Sequence, residues 1–307
     1  MRRKINLLQT RWERTAVLCC LVGAVALVNC LYMAKTYLIH FSEADRVFLL
    51  GDDLLYHLNR LQSIADGMRG GQFPVRIYPN LLNGYGYASP LFYPDFFLYP
   101  FAFLIFLGAH TVSVYYLMTA CALFAMGITA YLFARKTLPS YAQAVSAACL
   151  YPSMQYVVYD VVTRAAFGEV VGLVFLPVIA LGLYNMVKEG FSKPWILLLG
   201  VLGVTYSHII SLYMDAWLIL GVVLVNGKTF FRDRTWWKKT AILIVLYLLL
   251  SAAYFLPFLE MIASDRYHFS EVESSLASSA KTFLSLFDVR GTIGPIAVLS
   301  LLLRLFV

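Results

Sequence analysis

Residues 112–134 read VSVYYLMTACALFAMGITAYLFA, a run without a charged side chain that ends at the basic pair Arg135-Lys136. A helix of about 20 apolar residues is long enough to cross the hydrocarbon core of a bilayer. Similar apolar runs recur from Ala16 to Val307. The sequence therefore predicts an all-α protein, a polytopic helical membrane protein.

The composition supports the same class. Of the 307 residues, 61% are hydrophobic and only 13% are charged, and the mean hydropathy is +0.73, whereas a soluble domain averages roughly 25% charged residues. The net charge of +7 does not indicate nucleic-acid binding, because basic residues of membrane proteins collect on the cytoplasmic side. We expect the lipid bilayer as a partner and no nucleic acid.

The distribution of basic residues predicts the orientation. A first span at about 16–39 follows five basic residues: Arg2, Arg3, Lys4, Arg11 and Arg14. By the positive-inside rule the N-terminus is cytoplasmic, residues 40–110 form an external loop, and the chain is a multi-pass protein of the plasma membrane. About seven or eight spans result, the later ones at 112–134, 142–158, 169–187, 195–207, 209–225, 241–263 and from 292 onward.

Two segments leave alternatives open. Residues 92–107 are apolar but carry Asp95 and two prolines, so we expect a helix at the membrane interface rather than a crossing one. Residues 195–225 form either a short hairpin around His208 or one long helix; the hairpin keeps the flanking basic residues on one side. We expect a single transmembrane domain over residues 1–307, truncated at its C-terminus inside an apolar run.

The external loop contains an amphipathic helix, predicted over residues 53–68 from the spacing of its apolar residues. The glycines at 67, 70 and 71 end it. Residues 73–100 then form a stretch rich in aromatic residues, proline and glycine. Tyrosine favours the membrane interface, so this stretch is expected to lie along the membrane surface.

The start of that helix carries the strongest candidates for chemistry. Asp53 and His57 are four residues apart and Arg60 follows on the same face. In a structural interpretation, Asp52 caps the helix and Asp53 pairs with His57. In a functional one, an aspartate acts as general base or metal ligand, because charges beside a membrane are costly and usually functional.

Three further sets of residues are predicted to face outward. Arg164 and Glu169, with Asp160 nearby, either anchor a helix end or let the arginine bind a phosphate. His208 is either a structural residue whose hydrogen bonds are satisfied near a helix end or a residue in an indentation made by short helices. Tyr93 either anchors the interface or stacks on a sugar.

At these residues the chain resembles a bacterial family of multi-pass membrane proteins labelled 6-pyruvoyl-tetrahydropterin synthase-related, and it is similar to the YfhO-like proteins. The resemblance covers about residues 16–263. It rests on Asp52-Asp53 with His57 and Arg60, Gly71-Gln72-Phe73-Pro74-Val75-Arg76, Gly84-Tyr85-Gly86-Tyr87 leading to Phe92-Tyr93-Pro94, Arg164-Ala165-Ala166 with Glu169, and Ser207-His208. The sequence departs from the family at Pro94-Asp95, where a Pro-Pro pair is often found.

That family looks like the GT-C superfamily of glycosyltransferases. The resemblance implies a GT-C-like core of about seven spans with interfacial helices in the first external loop. It also implies a polyprenyl-phosphate sugar as donor and an external cell-envelope acceptor. The expected catalytic residues are Asp53 and Asp52, and the expected substrate-binding residues are His57, Arg60, Tyr93, Arg164, Glu169 and His208.

Two other functions fit a membrane protein of this kind, a transporter or flippase and a non-enzymatic envelope assembly factor. A transporter typically has polar residues at mid-membrane and inverted repeats. Here the polar residues cluster at one face and no repeat is visible, which favours the transferase. The residues do not decide whether a divalent cation is a cofactor.

Overall fold

The computed structural model of the protein describes residues 11–39, 51–230 and 232–264. This part of the chain is helical, and its one pairing of extended backbone is an isolated antiparallel bridge between Tyr78 and Tyr87. The α-helices are α1 (Arg11–Ile39), α2 (Leu54–Arg69), α3 (Tyr99–Phe106), α4 (Thr111–Thr137), α5 (Tyr141–Leu150), α6 (Gln155–Tyr159), α7 (Phe167–Lys188), α8 (Trp195–Thr205), α9 (Ile209–Val225), α10 (Gly227–Phe230) and α11 (Arg234–Ala263).

Four of these helices are long and apolar enough to cross a membrane: α1, α4, α7 and α11. Leucines on the outer face of α11, among them Leu248, Leu249 and Leu256, are exposed. An apolar surface of this extent is not tolerated in water but is expected against lipid. The prediction of an all-helical chain with the character of a membrane protein is therefore confirmed.

One predicted span is wrong. Residues 142–158 do not form a continuous helix, because α5 ends at Leu150 and a 3₁₀ turn, Tyr151–Ser153, separates it from the short α6. Pro152 lies in that turn, where the missing backbone donor and the bulk of its ring favour an interruption of the helix. A π-helical turn, Asp160–Arg164, follows α6 directly.

Two other predictions agree with the structure. Residues 195–225 form two helices separated at Tyr206–His208, so the single long helix is excluded. The helix α3 has eight residues, which gives about 12 Å, too short to cross a bilayer. The predicted span from residue 292 lies outside the described residues.

The centre of the bundle is α7, which packs on α4, α8 and α9. Glycines let α8 approach it closely. A Cβ atom added at Gly200 would lie 2.8 Å from the backbone nitrogen of Ile179, and one at Gly203 would lie 2.2 Å from the ring of Phe175. Small residues at such contacts are typical of helices that pack within membranes.

Several basic residues that flank the long helices lie near one another. Lys136 at the end of α4 pairs with Glu189, just beyond α7. The Lys239 ammonium donates to the Phe191 carbonyl oxygen, 2.8 Å away. At the start of α5, the Tyr141 hydroxyl donates to the Arg14 carbonyl oxygen. These residues, far apart in sequence, are the ones predicted to be cytoplasmic.

This grouping gives a direct test of orientation. In a variant free of the five native cysteines, we expect Tyr85→Cys, at a position 92% exposed in the loop predicted to be external, to react with an impermeable thiol reagent added to intact cells. Lys136→Cys is expected to react only after the membrane is permeabilised. Labelling of position 136 from outside would contradict the topology.

Candidate functional site

The acidic pair at the start of α2 is attached to the π-turn that precedes α7. The Asp52 backbone N–H donates to the Thr163 carbonyl oxygen (3.2 Å), and the Asp53 N–H donates to that of Arg164 (2.8 Å). The π-turn ends at Ala165, whose φ of 53° is left-handed. This reversal of the chain directs the Arg164 carbonyl towards α2 and joins two segments distant in sequence.

The carboxylate of Asp53 is not used to cap its own helix. Asp53, and not Asp52, is the N-cap of α2, and its side chain makes no capping hydrogen bond. The structural interpretation of the pair is therefore wrong in both parts, since the His57 ring lies beside Arg60, with Nδ1 3.3 Å from the arginine Nη1. Within the described residues, the Asp53 carboxylate makes no hydrogen bond or ion pair.

Arg164 lies between two carboxylates. Its Nη1 donates to Asp160 Oδ1 (2.6 Å) and to Glu169 Oε2 (2.8 Å), and the other oxygen of Glu169 accepts from the Tyr156 hydroxyl. The Nε and Nη2 atoms of Arg164 make no hydrogen bond within the described residues, and the side chain is 35% exposed. These two nitrogens form the edge that binds a phosphate or carboxylate through two parallel bonds.

Asp160 is fully buried beneath this arginine. One of its oxygens, Oδ2, is buried without a hydrogen-bond partner. Burial, together with the nearby Glu169 carboxylate, raises the pKa of Asp160 to about 7. The raised pKa favours the protonated, neutral form of this carboxyl, which lowers the negative charge beside Arg164.

The raised pKa of Asp160 predicts a pH-dependent stability. A carboxyl whose pKa is higher in the folded than in the unfolded protein stabilises the fold most below its unfolded pKa, here about 4, and that contribution is lost as the pH rises to about 7. Asp160→Asn stays neutral and still offers an oxygen to Arg164. We expect the unfolding midpoint of this variant, measured in detergent, to rise relative to that of the wild type as the pH increases. The difference between the two midpoints should be roughly 5–10 °C larger at pH 8 than at pH 5. A constant difference would contradict this assignment.

Tyr93 and His208 complete the cluster. The two rings lie 5.9 Å apart between centroids, and the guanidinium of Arg60 lies over the Tyr93 ring at 4.2 Å. The Tyr93 hydroxyl is directed at the first turn of α7, where a Cβ atom at Gly168 would lie 2.1 Å from its oxygen. Glycine at position 168 thus makes the space that Tyr93 occupies.

This close contact predicts the effect of a single methyl group. Gly168→Ala is expected to displace Tyr93 and to cost about 1–3 kcal/mol of folding free energy, as overpacking of a filled site does. The matched control is Gly172→Ala on the same helix, where the nearest atom would be 3.4 Å away. Thermal unfolding of the two variants should separate them; equal midpoints would contradict the packing.

A buried ion pair lies below the cluster. The fully buried Arg60 donates through Nε to Asp95 Oδ1 (3.0 Å) and through Nη2 to the Pro94 carbonyl oxygen (2.8 Å). The Tyr78 hydroxyl donates to Asp95 Oδ2 (2.6 Å). These bonds join α2, the bridge at Tyr78 and the Pro94-Asp95 turn into one unit.

The pair changes the interpretation of two predicted binding residues. Arg60 is enclosed and already bonded to Asp95, so it positions Tyr93 and does not reach a ligand. His57 is also buried, and its burial together with the charge of Arg60 holds its pKa well below the usual range. His57 is therefore neutral and packs beneath the site.

The structure thus brings Asp53, Tyr93, Arg164, Glu169 and His208 together, with Asp52 exposed at the edge. Sequence reasoning missed the pairing of Asp95 with Arg60, although the departure from Pro-Pro at that position was a signal. It also missed the role of Gly168. The described residues hold no group of three or more His, Cys, Asp or Glu side chains placed to bind a metal ion.

These features define a helical membrane protein with a polar, carboxylate-rich site at one end of its bundle. Comparisons of the chain with protein-family models, with curated proteins and with solved structures found no match. The resemblance to the YfhO-like proteins accordingly rests on the motifs quoted from the sequence.

Proposed function

We propose that the protein transfers a sugar from a polyprenyl-phosphate carrier to an acceptor on the outer face of the plasma membrane. The observation that carries this proposal is the attachment of Asp53 to Arg164 by the 2.8 Å backbone hydrogen bond. This bond joins the backbone of Asp53, whose carboxylate makes no capping hydrogen bond, to the backbone of Arg164, whose Nε and Nη2 atoms make no hydrogen bond within the described residues. A base and a phosphate-binding cation are the two groups that such a transfer requires.

The proposed reaction assigns a role to each group. Asp53 removes the proton of the acceptor hydroxyl, and the oxygen attacks the anomeric carbon of the sugar from the face opposite the phosphate. The bond between that carbon and the phosphate oxygen breaks, and its electron pair stays on the phosphate. Arg164 stabilises the resulting charge through Nε and Nη2. The configuration of the sugar is inverted.

Arg164 can bind an anionic group although it already pairs with the carboxylates of Asp160 and Glu169. Both ion pairs of the arginine use the same nitrogen, Nη1, and therefore leave its other edge accessible. The raised pKa of Asp160 favours its neutral form, which reduces the opposing charge. A phosphate with two accessible oxygens would complete the hydrogen bonding of the guanidinium.

The loop around the site fits a lipid-linked substrate. The segment from Phe96 to Phe106 is apolar and short, and Phe96, Phe103 and Leu107 are exposed. Exposed aromatic residues on a short helix favour a position along the membrane interface. From there a prenyl chain can stay in the bilayer while its phosphate lies at the site.

One observation favours a lipid flippase as the second candidate. Asp215 is buried in the apolar helix α9, and an ionisable residue inside a membrane helix often marks a transport path. In a flippase the sugar would stay on its carrier while both cross the bilayer.

Proteoliposomes test the two candidates together. The purified protein is reconstituted with a polyprenyl-phosphate sugar labelled in the sugar, and an envelope extract is supplied outside as acceptor. The transferase predicts that the label leaves the lipid carrier for the acceptor. Label that crosses the bilayer still joined to the lipid would support the flippase, and label that does neither would contradict both and favour an assembly factor.

A further inference from the structure

The two ring nitrogens of His208 have different surroundings. His208 is the N-cap of α9, and its Nδ1 accepts the backbone N–H of Ser211 at 3.3 Å. The Ser211 hydroxyl lies 2.8 Å from the same nitrogen. A backbone N–H can only donate, so Nδ1 carries a lone pair and the proton of the neutral ring is on Nε2.

Nε2 is the nitrogen left for a ligand. Every hydrogen bond of this ring within the described residues goes to Nδ1, and the imidazole is half-buried beside Tyr93. Charged groups surround it on several elements: burial lowers the pKa of His208, Glu169 and Asp53 oppose that change, and Arg164 and Arg60 reinforce it. The ring therefore lies among the groups assigned to the transfer.

We propose that His208 donates its Nε2 hydrogen to an oxygen atom of the substrate held between Asp53 and Arg164. The oxygen belongs either to the phosphate or to a hydroxyl of the sugar. This inference rests on the proposed function and assigns the ring two tasks, a structural one at Nδ1 and a ligand-binding one at Nε2. Because the site is otherwise rich in carboxylates, a hydrogen-bond donor at this position favours a substrate atom that accepts a hydrogen bond.

Two substitutions separate the tasks of the ring. The side-chain oxygen of Asn matches the position of Nδ1 and is a favoured N-cap group, so His208→Asn keeps the cap and loses the donor. The amide nitrogen of Gln reaches the position of Nε2, so His208→Gln keeps a donor and loses the cap. The two variants are therefore expected to fail in opposite ways.

The measurements are the unfolding midpoint, the transfer rate, and the binding of a polyprenyl-phosphate sugar and of the bare polyprenyl phosphate. We expect His208→Asn to unfold like the wild type and to lose roughly 100-fold in transfer, the loss typical of one removed hydrogen-bond donor. His208→Gln should unfold earlier yet retain most of the transfer below its midpoint. The opposite order, with full activity in His208→Asn, would overturn the proposal.

Binding of the two ligands shows whether the oxygen belongs to the phosphate or to the sugar. Together with the transfer rate, it also tests the donor role of His208 separately from the transferase activity. Weakened binding of both ligands to His208→Asn identifies a phosphate oxygen, and weakened binding of the sugar-linked lipid alone identifies a hydroxyl. If the wild type binds but does not transfer, while His208→Asn binds more weakly, the donor role stands and the transferase fails. If the wild type transfers and His208→Asn matches it, only the donor role fails. A wild type that neither binds nor transfers overturns both.

Discussion

Arg60→Met is expected to lower the free energy of unfolding by about 3–5 kcal/mol, because it leaves the Asp95 carboxylate buried without its cation. Arg60 is fully enclosed, and Asp95 is only 7% exposed. Water cannot replace the lost partner, and the remaining hydrogen bond from Tyr78 does not neutralise the charge. The Pro94-Asp95 turn, and with it Tyr93, is expected to move.

The double variant Arg60→Met with Asp95→Asn is the test of that explanation. Removing both charges of a buried pair is often nearly neutral, so the double variant should recover most of the stability lost by the single one. Lys136→Met, which breaks the exposed pair with Glu189, is the control and should leave the free energy of unfolding nearly unchanged, because exposed ion pairs contribute little. Chemical unfolding in detergent measures all three. A double variant less stable than Arg60→Met would show that the charges are not the cause.

Asp53→Asn is expected to reduce transfer by about 10²–10⁴-fold, the usual contribution of a general acid–base group. The change keeps the size of the side chain and removes its basicity. Folding should be unaffected, because the Asp53 side chain makes no capping hydrogen bond and its link to Arg164 runs through the backbone. The loss should therefore appear in rate alone.

Asp52→Asn is the matched control for this experiment. Asp52 is the neighbouring residue, is exposed, and makes the same kind of backbone contact with the π-turn. Its substitution alters the same local charge, so a general electrostatic effect should change both variants equally. A greater loss in Asp52→Asn would identify Asp52 as the base and would correct the assignment.

Much of the helical framework could be predicted from the sequence, because a helix that crosses lipid must consist mainly of apolar residues. The span predicted at 112–134 lies within α4, and the amphipathic helix predicted at 53–68 occupies 54–69. The segment 142–158 was mispredicted because hydropathy is the same for an unbroken helix and for two helices separated at Pro152. Only the backbone at the proline distinguishes them.

The sequence predicted that several polar residues would lie near one another but not how they pair, and it did not predict that His57 and Arg60 are buried. The shared depth of Asp53, Arg164 and His208 follows from the spans that flank them, and the structure brings them together. The ion pair between Arg60 and Asp95 forms because the loop after α2 folds back onto that helix. The spacing of apolar residues in the sequence carries no information about this fold. The two uses of the His208 ring depend likewise on a backbone N–H, which every residue except proline possesses.

The most direct test of the transferase site is the rate at which purified protein in liposomes moves a labelled sugar from polyprenyl phosphate to an external acceptor. The wild type, Asp52→Asn and Asp53→Asn are compared once thermal unfolding has shown that the three proteins have the same unfolding midpoint. We expect transfer by the wild type, a smaller loss in Asp52→Asn, and at least a roughly 100-fold loss in Asp53→Asn. Equal transfer by all three proteins would show that the acidic pair is structural and would contradict the mechanism.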